Sequence, residues 1–109
     1  MKASDRRHQD RVEVHLLACY HVKEGAQTAT GFARTMNLSH VGVMIESPDP
    51  MDSGQELALE FLLDNNRVLK LGGRVTHVSP GEKGMQWVGV AFENLTAADK
   101  KLLAEQLAE

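Results

Sequence analysis

Polar and apolar residues alternate along most of this chain. From Val12 onward, Val12, Val14, Leu16, Ala18, Tyr20 and Val22 fall on one face, with Glu13, His15, Leu17, Cys19, His21 and Lys23 on the other. A period of two predicts a strand. The stretch KEGAQ breaks it, and a second alternating run puts Thr28, Thr30, Phe32, Arg34, Met36 and Leu38 on one side. NLSHVG interrupts, VMIE resumes in β-rich residues, and SPDPMDSG sets Pro, Asp and Gly at turn positions. Leu57, Leu59, Phe61 and Leu63 alternate next, and DNN reads as the turn of a hairpin into RVLKLGGRVTHV. Inside that run the Gly72-Gly73 pair predicts a bulge or bend. SPGEKG supplies another turn, and MQWVGVAF is a last strand with Val88, Val90 and Phe92 on one face.

The period then changes. Thr96 followed by Asp99 has the pattern of a capping box, and Leu102, Leu103 and Leu107 recur at helical spacing. A helix with one apolar stripe needs a partner surface, and the nearest is an open mouth or face of the sheet. Six or seven short strands joined mostly by turns, with one C-terminal helix, predict an antiparallel barrel or sandwich. No repeat, linker or low-complexity tract divides the chain. Residues 12–109 are expected to form one folded unit, and the charged residues 1–11 a flexible arm ahead of it.

Composition narrows the function classes. A chain of 109 residues, 42% hydrophobic and 25% charged, suits a single globular core. Its formal charge of −3 lacks the clustered Lys and Arg that a nucleic-acid-coating protein needs, and aromatic residues are only 5%. With Cys19 as the single cysteine no intrachain disulfide can form, and the thiol reads as a small strand residue. No leader-like segment and no run of eighteen apolar residues occurs, so a cytoplasmic protein without membrane insertion is expected.

Catalytic signals are weak. There is no GxxxxGK phosphate loop and no GxSxG elbow, and His8, His15, His21, His40 and His77 lack HxH or HxxxH spacing. The expectation is a protein that is not an enzyme, with solvent-facing histidines and no metal. Two short segments rise above this background. In RHQDR, Arg7 and Arg11 stand four residues apart, and guanidiniums are forked, permanently charged donors suited to phosphate oxygens and to the O6/N7 edge of guanine. In NLSHVG, Asn37 and Ser39 can fix a turn through their own backbone, and Gly42 can take a positive φ or let a ligand approach. Taken singly, the first is also what a solvated charged terminus looks like, and the second what turn chemistry alone gives.

Together they resemble one family. RxxxR near the N-terminus, a β-rich stretch, and then (D/N)xSxxG is the signature of the PilZ domain, a bacterial receptor module for cyclic di-GMP. Here the motifs stand as RHQDR and NLSHVG, about 25 residues apart. The closing VGVAFENLTAADKKLL is similar to the end of that family, where a final strand with G-V-x-F runs into a helix.

The resemblance implies a mainly β fold, a six- or seven-stranded antiparallel barrel with a C-terminal helix and no catalytic activity. It implies that Arg7 and Arg11 clasp guanine edges and phosphates of cyclic di-GMP, with Asn37, Ser39 and Gly42 as the barrel-side surface. Arg6, directly before the first motif residue, implies a pair of intercalated ligands and hence two per domain. Trp87 is either a core or barrel-surface residue or a guanine-stacking platform. His8 and His40 lie inside the motifs, where an imidazole can make affinity depend on pH. No cofactor is expected beyond the ligand itself. Without an output domain in these residues, the receptor would pass its signal to an unidentified effector protein through its ordered arm, in motility, pili, exopolysaccharide or biofilm control. The competing expectation is a PilZ-fold interaction module that binds no nucleotide.

Overall fold

The computed structural model describes residues 12–13, 15–24, 26–64 and 66–108. Its strands are β1 (Val12–Glu13), β2 (Leu17–Glu24), β3 (Gln27–Leu38), β4 (Gly42–Ser47), β5 (Glu56–Leu62), β6 (Val68–Pro80) and β7 (Gln86–Glu93), followed by helix α1 (Ala97–Leu107). All pairings are antiparallel. The order runs β3-β2-β5-β6-β7-β4, and β4 pairs back onto β3, so six strands close a barrel while β1 pairs with β3 beyond the start of β2.

Alternation fills the interior as the sequence expects on most strands. Leu16, Ala18, Tyr20 and Val22 are buried, as are Leu57, Leu59, Phe61 and Leu63, and Val88 and Val90 point inward from β7. Phe92 packs against this core and meets Phe61 edge-on, ring centroids 6.4 Å apart. Each fully buried Leu, Ile or Phe contributes about 1.5–3 kcal/mol relative to exposure.

β3 departs from the expected pattern. Its inward residues are Ala33 and Thr35 and then Leu38, while Phe32 is 63% exposed. The cause is a bulge: Thr35 pairs with Ile45 and Asn37 with Met44, leaving Met36 as the extra residue. An extra residue exchanges the two faces, so Thr28 to Leu38 do not share one side. A second bulge lies on β6, where Val75 pairs with Val90 and His77 with Gly89, leaving Thr76 over. It sits beyond the Gly72-Gly73 pair, which runs regularly opposite Leu57 and Ala58. Gly73 answers a different need: a Cβ there would meet Val90 Cγ1 at 2.5 Å and Ala91 O at 2.8 Å.

α1 starts with the anticipated capping box. Thr96 Oγ1 accepts from the Asp99 N–H at 3.0 Å, and Asp99 Oδ2 accepts from the Thr96 N–H at 3.0 Å. Leu103 is fully buried, and Leu102 and Leu107 pack against the core. Gln106 fixes the far end, donating to Asp64 Oδ2 at 2.9 Å and accepting from the Asp64 N–H at 3.3 Å. Among the described residues no helix is long and apolar enough to cross a membrane.

Candidate ligand-binding site

The turn between β3 and β4 is built by Ser39. Its hydroxyl accepts the N–H groups of Val41 at 3.2 Å and Gly42 at 3.1 Å, while its own N–H donates to the Gly42 carbonyl at 2.9 Å. This is the self-capping chemistry expected of a short hydroxyl at a strand end. Phe92 N–H donates to Val41 O at 2.9 Å, which ties the turn to β7.

Gly42 serves this junction by close approach. Its φ is outside the left-handed region; what excludes a side chain is the β7 backbone, since a Cβ would lie 2.6 Å from the Val90 carbonyl oxygen. The first of the two alternatives read from the sequence, a positive φ, is therefore replaced by contact between neighbouring strands.

On the outer wall next to this turn lies a recess of about 480 Å³, a size within the range of small-molecule sites. Asn37, Ser39, His40, Gly42, Met44, Thr76 and Gly89 are among the residues that line it. Both bulges shape this wall. Met36 turns Asn37 outward beside Met44, and Thr76 turns His77 outward beside Gly89. Thr76 Oγ1 donates to Gly89 O at 3.3 Å. Bulges often re-aim side chains in this way next to functional sites.

The sequence motif residues Asn37, Ser39 and Gly42 are thus brought together, and His40 joins them. Thr76, Met44 and Gly89 were missed by the sequence reading. Gly89 left one trace there, a glycine in the interior of a strand, which can mark close approach of a ligand.

Trp87 lies elsewhere on the same wall. It points outward from β7 opposite Glu46, one alternation beyond Gly89, about 7 Å along the strand. It does not line the recess. At 37% exposure it is a surface residue whose indole N–H reaches Glu46 Oε2 at 3.4 Å. The other oxygen of that buried carboxylate accepts from Arg34 Nη2 at 2.9 Å.

Arg6, Arg7, His8 and Arg11 lie outside the described residues. The strand that follows them does bear on the site: β1 pairs Val12 with Leu38 and Glu13 with Asn37. The chain therefore joins the barrel at the strand end that leads into Ser39.

Among the described residues lining the recess, none is Asp, Glu, Lys or Arg, and His40 is the one titratable group. The wall offers compact polar groups and open backbone. Among the described residues there is also no cluster of three or more His, Cys, Asp or Glu able to hold a metal.

The PilZ domain model matches residues 5–109, which includes both motifs and the helix. The chain belongs to the PilZ domain family. Solved structures agree on the fold. This PilZ domain is similar to the Bacillus subtilis inhibitor of motility MotI/DgrA, with a TM-score of 0.75 and 16% identity over 89% of this chain and 47% of that one. It is similar to the PilZ domain of YcgR from Escherichia coli, solved with c-di-GMP, with a TM-score of 0.67 and 15% identity over 85% and 82%. The K. pneumonia MrkH-c-di-GMP complex gives 0.69 and 11% over 87% and 47%. The chain thus spans about half the length of MotI/DgrA and MrkH. No curated protein matches in sequence.

Proposed function

We propose that this PilZ domain is a cyclic di-GMP receptor and adaptor, which relays the level of that second messenger to a partner protein through ordering of its N-terminal arm. The observation that carries the reading is the register of β1 on β3. Val12 stands opposite Leu38, and RHQDR immediately precedes Val12 in the sequence, so the chain enters the barrel directly after the first motif and opposite the strand end that leads into the second.

The chemistry is complementary. A dianionic ligand with two guanines needs forked cations, compact polar groups and backbone free to come close. The described wall contributes the last two, from Asn37, Ser39, Gly42 and the surface around them. Arg7 and Arg11 supply the charge. Ordering them on ligand binding converts occupancy into an altered surface that an effector can read. Arg6 adds a third guanidinium, and with it the reading extends to two ligands per domain. Cytoplasmic location and control of motility or biofilm formation follow as part of the same proposal; YcgR and MrkH are solved with c-di-GMP, and MotI/DgrA is an inhibitor of motility.

Isothermal titration calorimetry tests this with cyclic di-GMP against GTP and cyclic GMP. A hydrogen bond to a charged group contributes about 1.5–3 kcal/mol, so Arg7→Ala and Arg11→Ala are expected to weaken binding by roughly tenfold to a hundredfold. Unchanged affinity in Arg7→Ala removes the arm from the site. A stoichiometry near one removes the role given to Arg6.

A second reading, a PilZ-fold interaction module that binds no nucleotide, draws on another wall. Leu17, Phe32, Leu62 and Val68 are exposed on β2, β3, β5 and β6, away from the recess. It is the reading that survives if cyclic di-GMP produces neither heat nor a change in Trp87 fluorescence.

A further inference from the structure

Gly89 occupies the middle of β7, opposite Met44 on one side and His77 on the other. A glycine in a strand interior forgoes side-chain packing and adds chain entropy to the unfolded state. Such a residue usually answers a need of the backbone, and two neighbouring glycines do. A Cβ on Gly42 would meet a β7 carbonyl oxygen at 2.6 Å, and one on Gly73 would meet Val90 and Ala91 within 2.8 Å.

Gly89 has no such reason. Its φ is not left-handed, and a Cβ built on it would find its nearest neighbours at ordinary contact distances, His77 Cβ at 3.4 Å and Thr76 Oγ1 at 3.6 Å. The fold has room for a side chain here. That room lies in the recess, which Gly89 helps to line.

We infer that Gly89 is a specificity-determining residue of the ligand site, left without a side chain so that a flat group of the ligand can lie directly on the β7 backbone. The inference rests on the cyclic di-GMP reading above and names the place where a purine face sits. Several neighbours suit that use. Gly42 and Ala91, one alternation along β4 and β7, keep the floor low, and the Met44 side chain and the Thr76 hydroxyl stand at its margins. A methyl or isopropyl group at position 89 would rise from the floor and lift a planar group off it by on the order of an ångström, and a gap of that size already forfeits up to about half of a van der Waals contact.

Gly72 provides the internal control. It is a second strand glycine whose Cβ would meet nothing within 4 Å, but it does not line the recess.

The experiment compares wild type, Gly89→Ala, Gly89→Val and Gly72→Ala by thermal unfolding without ligand and by calorimetry with cyclic di-GMP. Gly72→Ala and Gly89→Ala are expected to unfold at the wild-type temperature or above it. Gly72→Ala binds as wild type does. Gly89→Ala loses affinity, and Gly89→Val loses on the order of tenfold or more, equivalent to one good contact. Wild-type affinity in a folded Gly89→Val overturns the inference while leaving the receptor reading intact. Absence of binding by the wild type overturns the receptor reading and the inference with it. A fall in the unfolding temperature of Gly89→Ala well below that of Gly72→Ala also overturns it, because the glycine would then serve the fold.

Discussion

Tyr20 is the largest fully buried side chain of the barrel, and its hydroxyl leaves the core to donate to Asp49 Oδ2. Ser47 Oγ lies 3.4 Å from that hydroxyl and also binds the Asp49 backbone, accepting from its N–H at 3.1 Å and donating to its carbonyl at 2.9 Å. Burial, reinforced by the hydrogen bond to Asp49, pushes the phenol above its usual value of 10.0. An acid whose folded pKa is raised favours folding in its protonated form, so the contribution is complete below about pH 10 and disappears as pH rises through the folded value. Chemical denaturation at a series of pH values is expected to show wild type losing stability above pH 10 relative to Tyr20→Phe. The phenylalanine variant, which has no proton to lose, is less stable near neutrality because Asp49 and Ser47 lose a partner. Ser39 makes a different local contribution: Ser39→Ala leaves the Val41 and Gly42 N–H groups without their acceptor and is expected to cost about 1 kcal/mol, read as a lower denaturation midpoint.

At the scale of elements, the junction of β4 with β7 and the seat of the helix can each be perturbed at named residues. Gly42→Ala drives a methyl into the Val90 carbonyl, where neither partner is the free end of a side chain, and overpacking of this kind costs about 1–3 kcal/mol. Thr96→Ala removes the cap of α1 for about 1 kcal/mol. Leu103→Ala, which empties the point where the helix enters the core, costs about 2–5 kcal/mol. Equilibrium unfolding in urea ranks the three.

The same junctions explain what could be read from residues alone. Strand alternation in β2, β5 and β7, the turns at DNN and SPGEKG, and the capping box were legible because each depends on neighbours within a few residues. Both bulges were not. Met36 and Thr76 carry no local signal for an extra residue, and the glycine pair that did carry one is occupied with close packing against β7. Those bulges decide that Asn37 and His77 face outward, so the motif was visible in the sequence but the recess beside it was not. The placement of Trp87 beside Glu46, away from the recess, likewise depends on the register between β4 and β7.

At the scale of the whole molecule, the described strands β2 to β7 form a ring, and β3 to β4 is the pair that completes it. The turn that carries NLSHVG is the link between those two strands. Ligand held there is held at the buckle of the barrel. A molecule that binds only the closed ring raises its stability by mass action, about 2.7 kcal/mol at a free concentration one hundred times Kd. Hydrogen exchange is expected to report this directly: saturating cyclic di-GMP slows exchange of the amides that join β3 to β4 more than those joining β5 to β6 on the far side. On the receptor reading proposed above, the messenger acts on this PilZ domain as a fastener, holding the ring shut in proportion to its occupancy.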